Sequence, residues 1–346
     1  MKFYDAIVEY GTKSLNNYFF DNHDHYRFGG TAGQQGIMTP FPVELLQQRI
    51  AGYKTYIDRL EKTYDLLNDS YSKETLVKLI CFRLMGAEKI RMIDNYLSKV
   101  QEIDMTMRAE PADAIRVGFM NWNLHKFNLE KLGYDLYVYY VALGVYFTFV
   151  AHCYNYIHDN TKITVEDGDY IIDAGACYGD TALHFSKMIG EKGKVFSFEL
   201  LEENINIFNK NMEINNIKNV SLSNKIIWDK DDEILNFAIN GPGSSVHDTG
   251  TLQFKSITID SFIKQENTEK VDFIKMDIEG SELKALIGAE EVLRKYTPKL
   301  AISVYHKVQD LYEIPEYLDS LQLGYSFYLD HTTIHNEETV LYAIKR

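Results

Sequence analysis

From Pro42 onward, apolar residues return at spacings of three and four: Leu46, Ile50, Tyr53, Ile57, Leu60, Tyr64 and Leu67 fall on one stripe of a long helix. The stripe lasts about three heptads and includes tyrosines, so a helix pair within the chain is favoured over a coiled-coil dimer seam. Ser72 reads as the N-cap of a second helix, Lys73 to Met85, with Gly86 as its stop. Residues 1 to 40, rich in Gly, Asn and His through Phe28 to Gly36, read as a loop or arm. The apolar stretch from Leu136 to Ile157 is interrupted by Gly144, His152 and Asn155, which predicts a buried helix or helix pair rather than a membrane span.

Beyond residue 160 the pattern changes to short apolar runs alternating with helix-length segments, as a parallel sheet with crossover helices requires. Strands are predicted at Tyr170-Ile171-Ile172, Lys194 to Phe198, Val220 to Ile227, Val271 to Met276 and Lys299 to Tyr305, with a helix at Glu202 to Ile214. Gly324 to Leu329 and Thr339 to Ile344 predict a closing antiparallel hairpin. Asp231 to Asp260 is more polar, and Gly241-Pro242-Gly243-Ser244-Ser245 predicts a loop. The expected fold is therefore α/β, a doubly wound and mostly parallel sheet. Residues 1–159 form a mainly helical N-terminal region with an acceptor-binding or oligomerisation role, and 160–346 form the ligand-binding domain.

Within that domain, Asp169 to Thr181 (DYIIDAGACYGDT) is a strand, a glycine turn and a helix start. Gly175 and Gly179 tolerate φ > 0 and let a ligand approach the backbone, while the helix start favours an anionic group. Glu199, at the end of the next strand, is placed to accept hydrogen bonds from ribose hydroxyls. Gly175-Ala176-Cys177-Tyr178-Gly179 lacks the three-glycine spacing that cradles a pyrophosphate. That favours S-adenosylmethionine, with Asp173 as an acceptor for its ammonium, over a dinucleotide.

Three features, Asp173 to Thr181, Phe198-Glu199-Leu200 and the KMDIEGSE block Lys275 to Glu282, resemble the FkbM family of class I S-adenosylmethionine-dependent methyltransferases. The resemblance covers roughly half of the chain, from about residue 160 to the end. It implies a seven-stranded sheet and methyl transfer to a hydroxyl of a sugar or glycan, such as a surface polysaccharide precursor. It places Asp173, Gly175, Ala176 and Gly179 at the methionine end of the cofactor, Glu199 at the ribose and Ile226 near the adenine. Tyr178, Asp180, Thr181, Leu200 and Asp277 complete the implied cofactor-binding set. Cys177 and Tyr178 stand where the family turn carries smaller or aliphatic residues.

Ligands in open α/β sheets bind beyond the carboxyl ends of strands, so the chemistry is expected at Asp277, Glu279 and Glu282 after the fourth strand and at Tyr305-His306-Lys307 after the fifth. His306 is the natural base if its imidazole titrates near neutrality, with Asp277 and Glu279 beside it. Hydrogen bonding of His306 to a carbonyl, of Asp277 to the cofactor's amino group, and exposure of Glu282 on a helix face are the bland alternatives. Asp277, Glu279 and His306 also permit a divalent metal, with His331 and His335 as further donors, but no metal is assigned. His23-Asp24-His25 reads as solvated rather than metal-bound. An NAD-dependent oxidoreductase, favoured only by the strand, turn and acid, and a non-catalytic module retaining the fold are the competing functions.

Composition narrows this picture in three respects. Lys and Arg number 36 against 50 Asp and Glu, a formal net charge of -14, which argues against a general nucleic-acid-binding surface. Cys81, Cys153 and Cys177 are odd in number and far apart, fitting a reducing, cytoplasmic setting. The start, MKFYDAIVEYGTKSL, has no long apolar core and does not read as a secretory signal. Many of the chain's aromatic residues, among them Phe119, Trp122, Tyr140 and Phe147, lie between 101 and 160. That segment is core, or a platform on which an acceptor ring stacks.

Overall fold

A computed structural model describes residues 2–19, 21–22, 40–110, 112–238, 245–246 and 250–346, without the side chain of Met120. His23-Asp24-His25, Phe28 to Gly36 and Gly241 to Ser244 lie outside the described residues. The first half supplies helices α1 (Phe3–Ser14), α2 (Val43–Gly52), α3 (Lys54–Leu66), α4 (Ser70–Met85) and α5 (Tyr96–Thr106). An antiparallel sheet follows, β1 (Ala114–Arg116), β2 (Asn123–Asn128) and β3 (Tyr137–Tyr140). Next come α6 (Ala142–Val145), running into a π-helical turn at Tyr146–Val150, and the hairpin of β4 (Tyr156–His158) with β5 (Thr161–Ile163). Leu136 to Ile157 is thus a strand plus a short helix, not a helix pair. Among the described residues no helix is long and apolar enough to cross a membrane.

The expected arm at the start contains α1, whose Phe3, Ile7, Gly11 and Ser14 are buried on one face at spacings of four, four and three. The predicted long helix breaks at Tyr53, with φ -94° and ψ 4°, so one apolar stripe serves two helices. Leu46, Ile50, Ile57, Leu60 and Leu67 are all buried within the chain, while Tyr53 is exposed. Asp69 rather than Ser72 caps α4, its carboxylate accepting the Ser72 N–H at 2.8 Å. Ser72 lies inside and accepts the Leu329 N–H at 2.9 Å, tying α4 to the sheet. These helices share one apolar core with Ile172, Phe196, Ile274 and Leu300 of the sheet.

That sheet is built from β6 (Tyr170–Ala174), β7 (Lys194–Phe198) and β8 (Val220–Ser223), then, beyond a second small sheet, β13 (Phe273–Met276), β14 (Lys299–Ser303), β15 (Tyr325–His331) and β16 (Thr339–Lys345). Its order is β15-β16-β14-β13-β6-β7-β8, parallel except for β16, which runs antiparallel to both of its neighbours. Helices α7 (Asp180–Ile189), α8 (Glu202–Ile214), α9 (Ile259–Gln265), α10 (Glu282–Ile287), α11 (Glu290–Tyr296) and α12 (Asp310–Ser320) form the crossovers. The order reverses between β6 and β13, opening the crevice in which such folds bind ligands. Val220 to Ile227 is not one strand: β9 (Ile226–Ile227) leaves the main sheet to pair with β12 (Leu252–Ile257). With β10 (Ile234–Ala238) and β11 (Ser245–Val246) they make a four-stranded sheet, much of it within the polar segment Asp231 to Asp260, where only the loop at Gly241 to Ser245 was expected.

His184 of α7 is 3% exposed, stacked on His152 and 3.2 Å from the Tyr134 hydroxyl. Burial, helped by His152, pushes its pKa down to about 3. Unfolded, the imidazole binds a proton near 6.5, so its contribution is intact above that pH and is lost as pH falls toward the folded value. Buried Asp180 and Glu338, whose carboxyls burial raises, act in the opposite direction. The clean readout is therefore a difference: between pH 7.5 and 5, wild type is expected to lose about 2 kcal/mol relative to His184→Gln in urea unfolding. Parallel pH profiles for the two proteins would refute it.

Candidate active site

Strand register builds the floor of the site. Asp173 of β6 lies opposite Lys275 of β13 on one side and Ser197 of β7 on the other. Lys275 Nζ is 3.3 Å from Asp173 Oδ1, and both side chains are essentially fully buried. Ser197 and Thr181 hydroxyls also donate to the Asp173 carboxylate, at 3.0 and 3.1 Å. Lys275 in turn donates to the carbonyls of Ala174 and Gly175, at 3.2 and 2.6 Å. Burial opposes the ammonium charge, but Asp173, Asp277 and Asp180 outweigh it and raise its pKa. Asp173 is thus the strut beneath the turn, its oxygens taken up by protein donors.

The turn needs glycine at its first position for a steric reason as well as a torsional one. Gly175 has φ +80°, and a Cβ there would lie 1.8 Å from the Asp277 carbonyl oxygen. The N–H groups of Gly175 and Ala176 both donate to the Phe198 carbonyl, at 3.2 and 2.9 Å. Above the turn lies a cavity of about 780 Å³. Gly175, Glu199, Leu200, Ile226 and Asp277 of the cofactor set line it, as does Cys177. Asp180 and Thr181 line a smaller recess next to it, of about 70 Å³, together with Lys275. Ala176 and Tyr178 are buried behind the turn, and Gly179, φ +87°, starts α7. Glu199 accepts the N–H groups of Leu200 and Leu201 at 2.7 and 2.9 Å, which fixes its carboxylate at the rim. Burial raises its pKa against those bonds.

At the centre, the exits of β13 and β14 meet. His306 Nε2 is 3.3 Å from Asp277 Oδ1 and 3.4 Å from Glu279 Oε2, and Nδ1 is 3.0 Å from Glu282 Oε1. Glu282 is fully buried rather than on a solvated face, and also accepts the Ile278 N–H at 2.8 Å. Tyr154 and Tyr305 hydroxyls donate to Asp277 at 2.8 and 3.0 Å. Burial works against the imidazolium, yet Glu279, Glu282 and Asp277 overcome it and push the His306 pKa up to about 11. The near-neutral imidazole expected from residue type alone is therefore replaced by a ring clamped among carboxylates. Asp277 is held below the usual carboxylate range, burial being outweighed by His306 and Lys275, whereas burial raises Glu279.

Glu338, between β15 and β16, is a cavity residue that the sequence did not suggest. Burial, then Asp277, raises its carboxyl to about 8. Glu338 and Glu279 both adopt left-handed backbone, φ 61° and 55°, a conformation that non-glycine residues hold mainly where surrounding structure enforces it. His331 is elsewhere, 2.8 Å from Thr339 Oγ1, and His335 packs edge-on to Tyr96. The outer wall comes from the first half: Tyr96 and Leu97 of α5, Phe119, Trp122, Tyr140 and Phe147. The aromatic segment was a legible candidate for this wall, but the contribution of α5 was not.

The sheet order, reversed hairpin, glycine turn and acidic strand tip define a class I, Rossmann-like methyltransferase fold. Residues 173–327, just under half of the chain, are similar to the methyltransferase FkbM domain. The crystal structure of methyltransferase FkbM from Methylobacillus flagellatus KT is similar at 20% identity and a TM-score of 0.52, over 85% of this chain and 60% of that one. The chain thus spans under two thirds of that relative. A SAM-dependent methyltransferase from Aquifex aeolicus matches at 20% identity and TM-score 0.34, over 53% of this chain and 86% of that one. Fibrillarin from Aeropyrum pernix, solved with natively bound S-adenosyl-L-methionine, matches at 14% and 0.34, over 52% and 67%. No curated protein matches the chain.

Proposed function

We propose that the protein transfers a methyl group from S-adenosylmethionine to a hydroxyl of a sugar or glycan acceptor. The observation that carries this reading is a single cavity holding the Gly175 turn and Glu199 at one end, Asp277, Glu279 and His306 at its centre, and Trp122, Tyr140 and Phe119 on its outer wall. Its volume of about 780 Å³ falls in the upper part of the usual range for small-molecule sites, roughly 300–1,000 Å³. Glu199 is the partner for the ribose hydroxyls and Ile226 packs on the adenine. The aromatic wall offers faces on which the C–H groups of a sugar ring stack.

Transfer is an in-line displacement in which the acceptor oxygen bonds to the sulfonium methyl, the C–S pair leaves with the thioether, and the acceptor proton departs to the central cluster. Positioning by Asp277, Glu279 and His306 supplies most of the catalysis, because two bound reactants held in line need little further help. S-adenosylhomocysteine is expected to raise the melting temperature, the gain being about 2.7 kcal/mol at a hundredfold excess over Kd, and NAD to leave it unchanged. A response to NAD alone would turn the reading toward a dehydrogenase, and response to neither toward a non-catalytic module. With a panel of glycans, mass spectrometry should show one added methyl. His306→Ala is expected to reduce turnover by about 10²-fold or more without changing S-adenosylhomocysteine affinity. Unchanged turnover removes His306 from the reaction.

A further inference from the structure

We infer that the centre of the cavity is a divalent-cation site whose donors are Asp277 Oδ1, Glu279 Oε2 and His306 Nε2, with Glu282 as the support that orients the imidazole. Asp277, Glu282 and His306 each bring one donor atom within 4.8 Å of the others. The two carboxylate oxygens stand 3.3 and 3.4 Å from Nε2. Adjacent donors of an octahedral ion with bonds of about 2.0–2.4 Å are roughly 2.8–3.4 Å apart, so both carboxylate oxygens already stand at that spacing from the ring nitrogen. Two carboxylates and one imidazole suit a hard to borderline ion such as Mn²⁺.

Two further observations point to a ligand rather than to a closed ion-pair network. The His306 side chain is 7% exposed, yet neither ring nitrogen makes a hydrogen bond of proper geometry, and neither does the fully buried Glu282 Oε2. An unmade bond at a buried polar atom is unfavourable by about 1–3 kcal/mol, so three in one cluster imply a missing partner. The other ring nitrogen lies 3.0 Å from Glu282 Oε1, within reach of the carboxylate support found behind metal-ligating imidazoles once the ring turns into line, and Tyr154 and Tyr305 already give Asp277 such support. Charge favours a cation as well. Even with the ring protonated, Asp277, Glu279 and Glu282 leave the group with two net negative charges, and a divalent ion with neutral imidazole leaves one.

The remaining coordination positions face the cavity, since Asp277, Glu279 and His306 all line it. There the ion would bind the acceptor oxygen, whose proton passes to a carboxylate of the central cluster before the oxygen takes the sulfonium methyl; a bound cation makes that deprotonation easier. This role rests on the methyl-transfer reading, whereas the site itself can be tested without a cofactor.

The experiment titrates Mn²⁺ into chelator-treated, full-length protein, reading free Mn²⁺ by electron paramagnetic resonance. One strong equivalent is expected. Affinity should fall at least tenfold in His306→Ala and Glu279→Gln, and by about 10–100-fold in Glu282→Gln. Glu279, 28% exposed at its side chain, is the variant most certain to fold, and an unchanged circular-dichroism melt verifies each protein. No Mn²⁺ bound by wild type, or equal binding by wild type and Glu279→Gln, overturns the site. Mn²⁺ binding without any S-adenosylhomocysteine response leaves the site standing and sinks the methyl-transfer reading; the reverse result does the opposite.

Discussion

Gly175→Ala is expected to abolish the thermal response to S-adenosylhomocysteine and to destabilise the protein by several kcal/mol. Two effects combine at this position. The backbone is left-handed, φ +80°, which an alanine adopts at about 1–2 kcal/mol. In addition, the new methyl would sit 1.8 Å from the Asp277 carbonyl oxygen, a backbone atom that cannot swing away. Relief requires the turn to separate from the β13 exit, which displaces the Lys275 bonds to Ala174 and Gly175 and the Asp277 carboxylate together. Gly168 and Gly133 provide the controls, with φ +83° and +85° and nothing within 4 Å of an added Cβ. Alanine at either should show the torsional penalty alone and keep cofactor binding. If Gly175→Ala behaved like them, the close approach across the crevice would not be what demands glycine.

Lys275→Met should lower stability by about 3–5 kcal/mol, the range for stripping one partner from a buried ion pair. Methionine fills the same volume, so the loss is electrostatic: Asp173 keeps only its hydroxyl donors, and the Ala174 and Gly175 carbonyls lose theirs. The partner variant Asp173→Asn and the double variant complete a cycle read by urea unfolding. The double variant should lose less than the two single variants together, by at least about 1 kcal/mol, because neither leaves a lone buried charge when both are gone. A loss under about 1 kcal/mol in Lys275→Met would mean that the pair behaves like a solvated surface bridge. Cofactor affinity should fall in the same variant, since Lys275 is what holds the Gly175 carbonyl beneath the cavity floor.

The parallel core of the fold was legible because its strands are buried on both faces and therefore appear as continuous apolar runs, from Tyr170-Ile171-Ile172 through Lys299 to Tyr305. β10 and β12 were not, because they pair at the surface: Ile234 and Leu252 are exposed, and polar residues alternate with them. α1 was masked by its polar surroundings although its buried positions keep helical spacing. At the site, Glu199, Asp277, Glu279 and His306 could be named because they stand where strands end, and strand ends are set by the local pattern. Glu338 directly precedes the strand that returns antiparallel, and Tyr154 and α5 arrive from before the sheet. Nothing local distinguishes these from other loop or core residues.

By itself, then, the sequence determined where the parallel strands of the main sheet fall along the chain, the glycine turn and the acid that follows it, since each depends on neighbours within a few residues. The tertiary structure decided the charge states and the loads those residues carry. Asp173 became a strut because register set Lys275 and Ser197 beside it. His306 became a clamped ring because three carboxylates from one turn close around a side chain from the next strand. Such outcomes depend on distances of 3–4 Å between groups far apart in the chain, and electrostatic energy in a buried space changes steeply over that range.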